Sequence, residues 1–513
     1  MSHAARTTRG DGLRSAAAGL SAAVVAVGLA ELVAAVVEPS ASPFAVIGGG
    51  LIDLAPSWAK DAAIALFGTA DKIALITGIA IVLVGVAALA GILESRRAGV
   101  GAVILGALGV LALVAAMIRP GAGPFAWLPG LVAGVAAVVA LRLLMRTVHP
   151  VPYLRAEHDE RRRFLLFTVG VASVGVAALI VGSIARGASR SIESVRALLR
   201  LPAPVTPAPP VPAGAEFDIQ GLASVVTPNS EFYRIDTALI VPRIDPSDWS
   251  VRIHGMVDRE IEITWDELLA LPMQESFTTL ACVSNEVGGS LIGNALWLGH
   301  PVRELLARAG VDPKADMVLS TSSDGFTAST PIEALTDDRD ALLAIGMNGE
   351  ALPLEHGFPV RMVVPGLYGY VSATKWVTQL EVTRFDRTTA YWTDRGWSER
   401  GPVKLQSRID VPRRGQRIDA GDAVIAGMAW QQHVGIEGVE VRIDEGSWRR
   451  AELSSAISDD TWVQWRLDWA ATSGSHTIEC RALSADGETQ TSDPAGVVPD
   501  GAQGWHRVDV SVA

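Results

Sequence analysis

Two cysteines occur in 513 residues, Cys282 and Cys480. Cys282 ends a β-prone run, Ser276 to Leu280, and opens a polar turn that closes on Gly288 and Gly289. That order delivers a thiol to the mouth of a strand, where it can meet a ligand instead of filling a core. A lone cysteine is commonly a small buried hydrophobe. A strand ending in Cys282-Val283-Ser284-Asn285-Glu286 and paired glycines is a costly place for filler, so a thiol that meets a ligand is the stronger expectation. Cys480 lies in an alternating strand, Ser475–Ala482, and reads as core filler. The two fall in segments assigned to different domains, so no disulfide is expected.

Three further stretches carry polar chemistry. Glu355-His356-Gly357-Phe358-Pro359-Val360-Arg361 runs on to Pro365-Gly366 and then to Ala373-Thr374-Lys375-Trp376. An arginine there can grip a phosphate through two N–H groups, and a lysine adds a point charge. Thr227-Pro228-Asn229-Ser230-Glu231-Phe232-Tyr233 joins a turn to an aromatic pair. Met317–Gly325 reads as a strand that leaves Ser320, Thr321, Ser322 and Ser323 at its end, before an Asp324-Gly325 turn.

Together these segments resemble the sulfite oxidase family of molybdopterin enzymes. Thr279-Leu280-Ala281-Cys282-Val283-Ser284-Asn285 with Gly288-Gly289, then Asn294-Ala295-Leu296-Trp297, is similar to its molybdenum-ligand segment. The resemblance runs from about Phe217 to Ala513. It implies a molybdenum held by the pterin dithiolene, the Cys282 thiolate and terminal oxygen, with two-electron oxygen-atom transfer to or from a small molecule. It implies cofactor contacts from Asn229, Phe232, Tyr233, Thr321, His356, Arg361, Ala373, Thr374 and Lys375, with His356 donating to phosphate or pterin nitrogen. Sulfite oxidases add an arginine after the aromatic pair and a tyrosine downstream of the Lys-Trp pair. Here Arg234 follows Tyr233 directly and Ile235 holds the aligned slot. Trp397 stands at the tyrosine position, with Tyr391 nearby but out of register. Arg234, Tyr391 and Trp397 are therefore the candidate substrate-side residues, and sulfite itself is not the expected substrate. With no haem domain or flavin motif in view, electrons are expected to pass through a separate partner.

The elements that must position these residues form three blocks. Hydrophobic residues make up 49% of the chain and charged ones 19%, too apolar for a wholly soluble protein. A net charge of −12 argues against nucleic acid as a partner. Residues 1–190 hold apolar runs of about 20 residues, the length of a spanning helix. Five are expected: Ser15–Val37, Ile73–Leu93, Val100–Ile118, Phe125–Met145 and Phe164–Ile184. Phe44–Leu54 and Ala62–Phe67 are shorter and interrupted, interfacial or re-entrant, which leaves a count of four to six. Arg6, Arg9, Arg14, Arg96, Arg97, Arg142, Arg146, Arg155 and Arg161 to Arg163 fall on one side, so the positive-inside rule puts the N-terminus in the cytoplasm. Five spans then put the rest of a multi-pass cell-membrane protein outside. Arg161-Arg162-Arg163-Phe164-Leu165-Leu166 is both an ordinary charge clamp and similar to a twin-arginine signal. Glu31, toward the outer third of the first span, is expected to reach the interface.

Residues 191–215 are proline-rich and read as a semi-rigid spacer. Residues 216–400 read as an α+β catalytic domain, with a short helix at Trp265–Leu271 capped by Thr264. Residues 401–513 alternate short strands, Ala423–Ala429, Gly438–Ile443, Trp462–Asp468 and Ser475–Ala482, the pattern of an immunoglobulin-like all-β sandwich. The family resemblance makes this the dimerisation domain, so a homodimer is a possible assembly. Two other classes stay open. One is a receptor or binding protein that kept the fold without the metal, against which Cys282, Arg361 and Lys375 count. The other is a transporter with an external regulatory module, against which the scarcity of intramembrane polar residues counts.

Overall fold

The computed structural model describes residues 9–37, 41–54, 71–118, 122–148, 157–187, 190–238 and 240–513. Two compact units divide it: Met1–Ser191 with Thr237–Pro242, and Ile192–Asp236 with Arg243–Ala513.

The first unit is helical: α1 (Arg9–Val37), α2 (Pro43–Leu54), α3 (Asp71–Arg96), α4 (Val100–Met117), α5 (Trp127–Val148) and α6 (Glu157–Gly187). The apolar stretches of these helices have no polar face, the pattern of a membrane span or a deep core. Among the described residues four are long and apolar enough to cross a membrane: Gly12–Val37, Ala74–Arg96, Val100–Met117 and Trp127–Val148. The fifth expected span falls in α6, whose described apolar part is the shorter Leu165–Val181. Phe44–Leu54 is α2, while Ala62–Phe67 lies outside the described residues. The helices approach closely where side chains vanish. A Cβ on Gly19 would strike the backbone of Ala87 and Gly91, one on Gly28 that of Gly175, and one on Gly109 that of Gly134. Such contacts hold apolar helices together where no hydrophobic force separates helix from lipid. Glu94 ties α3 to the start of α4 by accepting from the backbone N–H groups of Gly99 and Ala102, each at 2.9 Å. Glu31 departs from expectation: it is buried, and its Oε1 accepts the Ser42 hydroxyl at 2.7 Å. A polar partner inside the bundle satisfies the carboxyl, so it does not reach outward.

The second unit begins within α7 (Arg190–Leu198). Its α+β part contains β1 (Ser250–Gly255), β2 (Ile261–Thr264), α8 (Trp265–Ala270), β3 (Gln274–Ala281), β4 (Ile292–Pro301), α9 (Val302–Ala309) and β5 (Met317–Ser322). There follow β6 (Thr327–Pro331), α10 (Glu333–Thr336), β7 (Leu342–Met347), β8 (Glu350–Ala351), β9 (Arg361–Val363), α11 (Gly369–Ser372) and β10 (Val377–Thr383). One sheet has the order β2-β1-β10-β5-β6; the other is β3-β4-β7-β8, with β9 paired to β7. The expected cap of α8 is a full capping box between Thr264 and Glu267.

The C-terminal part holds β11 (Gln406–Val411), β12 (Arg417–Ile418), β13 (Gly421–Trp430), β14 (Ile436–Ile443), β15 (Arg449–Arg450), β16 (Glu452–Leu453), β17 (Val463–Ala471), β18 (Gly474–Ser484) and β19 (His506–Val512). Its two sheets, β11-β13-β17-β16 and β12-β19-β18-β14-β15, close on Trp465, Ile478 and Cys480. Both cysteines are free, and Cys480 is core as expected.

Two connections differ from a beads-on-a-string picture. The proline-rich stretch is docked instead of spanning free space: Val205 N–H donates to Met273 O (2.7 Å) and Glu275 N–H to Thr206 O (2.9 Å), extending the edge of β3. Prolines leave few N–H groups to satisfy, and those of Val205 and Thr206 both turn to Met273 O at the open edge of the sheet. The sandwich is also built into the α+β core, which includes its Met428, Trp430 and Trp462.

Candidate functional site

β3 delivers Cys282 as expected, but the thiol is more enclosed than a strand mouth suggests, with 9% exposure. Cys282 N–H donates to Leu291 O and its carbonyl accepts from Asn285 N–H, so the loop between them is a closed hairpin. Asn285 Oδ1 accepts Leu291 N–H at 2.8 Å. Gly288 needs its φ of +77° and has the His506 ring where a Cβ would stand. Arg408 Nη1 donates to Gly289 O at 2.8 Å. The sandwich thus grips the cysteine loop. Burial raises the thiol's pKa, against hydrogen bonding from Ser284 and the charge of Lys375.

β3 is an edge strand, and the sandwich covers it. Thr279 N–H donates to Asp460 O, Gln432 Nε2 donates to Thr279 O (2.9 Å), and Trp462 N–H donates to Thr279 Oγ1 (2.9 Å). Thr279 Oγ1 in turn donates to Asn294 Oδ1 at 3.1 Å.

Around Cys282 stand the residues of the other motifs. Phe232 is fixed on three sides: stacked on Tyr233 (5.3 Å between centroids), edge-on to Trp297 (5.8 Å) and edge-on to His356 (5.6 Å). His356 Nε2 lies 3.2 Å from the carbonyl of Asn229. A carbonyl only accepts, so the proton is assigned to Nε2 and Nδ1 is left as a bare acceptor. Nδ1 is buried and has no partner. Burial, then Arg361 and Lys375, push the His356 pKa down to about 3.

Arg361 is buried against the Trp297 face at 4.9 Å and donates to the carbonyls of His356 (3.1 Å) and Met362 (3.3 Å). No carboxylate pairs with it among the described residues, and burial lowers its pKa to about 10. Lys375 bridges in register to Arg361 and donates to Asp236 Oδ2 and Glu355 O, both at 2.9 Å. Its pKa still falls to about 8: burial and Arg361 outweigh one carboxylate, which is also shared with Arg234 at 2.9 Å. Asp236 was not anticipated, because nothing in its local sequence points to a partner 139 residues away.

The remaining candidates divide. Asn229 uses its amide inside the protein, donating to Glu350 Oε1 (2.6 Å) and accepting from Asn348 (2.8 Å). Thr374 is buried with its hydroxyl 2.7 Å from Ser320 Oγ. Alternation along β5 therefore turns Thr321 to the opposite face from Ser320, which was the less obvious neighbour in that serine-rich run. Ala373 closes α11, donating to Gly369 O. Tyr391 and Trp397 flank Trp392 in an aromatic cluster, with Trp397 5.9 Å from Tyr370 and the Arg395 guanidinium 3.6 Å above Tyr391. Arg234 is half-exposed and committed to Asp236.

This chemistry suits molybdopterin. The pterin ring carries N–H groups that can donate to the orphaned Nδ1 of His356. Its phosphate can compensate the uncountered charge of Arg361 and restore that of Lys375. His356 thus accepts where the sequence suggested that it donates, because its one N–H is spent on Asn229. Cys282, poised at the end of β3, offers the soft donor.

Comparison with known proteins agrees. A family model described as "Oxidoreductase molybdopterin binding domain" matches residues 238–392. Mitochondrial sulfite oxidase of Homo sapiens is 27% identical over 343 residues, covering 56% of this chain and 62% of the relative. The chain thus spans about three-fifths of the mitochondrial sulfite oxidases it matches. The uncharacterised oxidoreductase YuiH of Bacillus subtilis is 32% identical over 157 residues, covering 31% of this chain and 76% of YuiH. Among solved structures, the sulfane dehydrogenase SoxCD of Paracoccus pantotrophus overlaps 53% of this chain and 76% of its own, with 25% identity and a TM-score of 0.48.

Proposed function

The chain belongs to the sulfite oxidase family of molybdopterin-dependent oxidoreductases, and on that premise we propose that it is a membrane-anchored enzyme of oxygen-atom transfer. When bound, the molybdenum cofactor supplies a two-electron change coupled to transfer of one oxygen atom. The protein's own residues bind and orient it. Cys282 supplies a thiolate, which metal ligation stabilises against the burial that raises the free thiol. Arg361 and Lys375 hold the phosphate, and Asp236 keeps Lys375 in place through its 2.9 Å ion pair. His356 would orient the pterin through Nδ1, and the Phe232 ring packed edge-on against His356 would shield that contact from water. Ser320 and Thr374 brace the loop that carries Lys375.

The observation that carries the reading is the pairing of an orphaned His356 Nδ1 with a carboxylate-free buried Arg361 around one buried thiol. The substrate is a small oxo donor or acceptor. Arg234, committed to Asp236, and Ile235, exposed, support a substrate other than sulfite. Tyr391 and Trp397 line the aromatic cluster on the substrate side. Electrons pass to or from a separate protein. Residues 216–400 are the catalytic domain, and residues 401–513 form an immunoglobulin-like sandwich that also serves as the face of a homodimer. The arginine distribution among the helices supports a cytoplasmic N-terminus and an extracytoplasmic catalytic unit.

The test is metal analysis of the full chain purified from a host that makes the cofactor. Molybdenum near one per chain is expected, with Cys282→Ala keeping the fold and losing oxygen transfer. Metal-free wild-type protein, or a fully active Cys282→Ala, would refute the proposal.

A further inference from the structure

We infer that the Tyr233 hydroxyl is the hydrogen-bond donor to the oxygen atom in transit at the Cys282 centre, and that Gly369 keeps open the space this oxygen occupies. The inference rests on the function proposed above and assigns Tyr233 a role on the substrate side in addition to packing against the cofactor.

The ring of Tyr233 is positioned by Phe232, which is itself immobilised by Trp297 and His356. Phe232 can lie this close to β4 because Gly293 has no side chain: a Cβ there would come within 2.9 Å of the ring. Three tyrosines flank Gly369, Tyr368 and Tyr370 as its chain neighbours and Tyr233 through space. Tyr368 Oη accepts Lys404 N–H at 3.4 Å, and Tyr370 Oη donates to Ser398 O at 2.8 Å. Tyr233 alone has no protein partner for its hydroxyl among the described residues. Its phenol is left to meet something that arrives from outside.

Gly369 marks the place. It opens α11 without the positive φ that would demand glycine. A Cβ there would sit 3.8 Å from Tyr233 Oη, 3.7 Å from Ala281 O and 3.5 Å from Ala373 Cβ, all ordinary contacts. Neither backbone nor sterics require the glycine, so a volume of at least a methyl group is kept free between the phenol, the carbonyl before Cys282 and the loop leading to Lys375. Burial raises the phenol's pKa above the usual tyrosine range, so it stays a neutral donor. The cations nearby have other duties: Arg361 faces carbonyls, and Lys375 and Arg234 share Asp236. A fixed neutral donor aimed at a reacting oxygen stabilises charge as it develops there, in either direction of transfer. The proton stays on the phenol throughout.

The experiment uses the full-length, cofactor-loaded protein and its Tyr233→Phe and Gly369→Ala variants. Both variants should keep wild-type molybdenum content and thermal midpoint. With reduced benzyl viologen and trimethylamine N-oxide as the probe pair, Tyr233→Phe should lose on the order of 10²-fold in kcat/KM, carried mainly by kcat. Gly369→Ala should raise KM more than it lowers kcat. The electron paramagnetic resonance signal of the half-reduced metal, recorded in H2O and D2O, gives a readout independent of turnover. An exchangeable-proton splitting present in wild type should be lost in Tyr233→Phe, and this decides the matter if the probe is not turned over. An unchanged splitting, or lost activity that simply tracks lost molybdenum, would overturn the inference alone. Molybdenum-free wild type would overturn it together with the proposed function.

Discussion

His356 shows how much of this site is expressed in single ionisations. Its pKa falls to about 3 because burial and two cations penalise the imidazolium. An unfolded histidine titrates near 6.5. Between these values the unfolded chain holds a proton that the folded chain refuses. Stability from this residue is therefore complete above about pH 6.5 and is lost progressively as pH falls through the window toward 3. His356→Gln should flatten the acid limb: the urea midpoint of wild type should drop between pH 7 and pH 5, and that of the variant should drop less. Equal drops would show that other groups carry the acid sensitivity. Cys282, Arg361 and Lys375 were legible in the sequence because each sits in a short motif whose spacing is its meaning. The protonation of His356 was not, since it depends on the carbonyl of Asn229 across 127 residues of chain. Thr321 against Ser320 was a question of strand phase, which a run of four hydroxyl residues leaves open.

At the scale of elements, the question is what holds β3 still. The β-prone run before Cys282 and the Thr264 cap made β3 and α8 readable, with boundaries shifted by a residue or two. The protection of the β3 edge was not readable, because Thr279 and Trp462 lie 183 residues apart. Two segments expected to be separate, the proline-rich stretch and the sandwich, both use that edge. An exposed edge strand invites foreign pairing, and here the same backbone carries the candidate metal ligand. Thr279 is the joint: its hydroxyl serves Trp462 N–H and Asn294 Oδ1 at once. Thr279→Val keeps the volume and strands both partners in a buried place. A loss of about 1–3 kcal/mol is expected from the unpaired groups. It would be read as a lower urea midpoint together with faster loss of molybdenum from the loaded protein. A variant as stable as wild type would show that the sandwich holds β3 by apolar packing and not by this hydroxyl.

The whole molecule poses a question of parity. Composition made the helical block legible, since long runs of alanine, valine, leucine and glycine leave no other use for so much apolar surface. The glycine contacts between α1 and its neighbours were not legible, because which glycines meet depends on how the helices cross. Among the described residues four helices are long and apolar enough to span, and an even number of spans returns the chain to the side where it began. An odd number delivers the catalytic unit to the other side. The difference rests on α6, which has 31 residues, a length of about 46 Å at 1.5 Å per residue. Its apolar stretch from Leu165 to Val181 follows the three arginines Arg161 to Arg163. If α6 is a fifth span that opens on a twin-arginine signal, the paired arginines direct export of an already folded domain, and lysine, though equally charged, does not replace them. If they are an ordinary positive-inside clamp, lysine serves as well. Replacing Arg161 and Arg162 together by lysine should therefore leave the catalytic unit protected from protease added to intact spheroplasts, while the wild-type unit is digested. Digestion of both would leave the charge clamp as the whole meaning of those arginines, and protection of both would place the catalytic unit in the cytoplasm with an even number of spans.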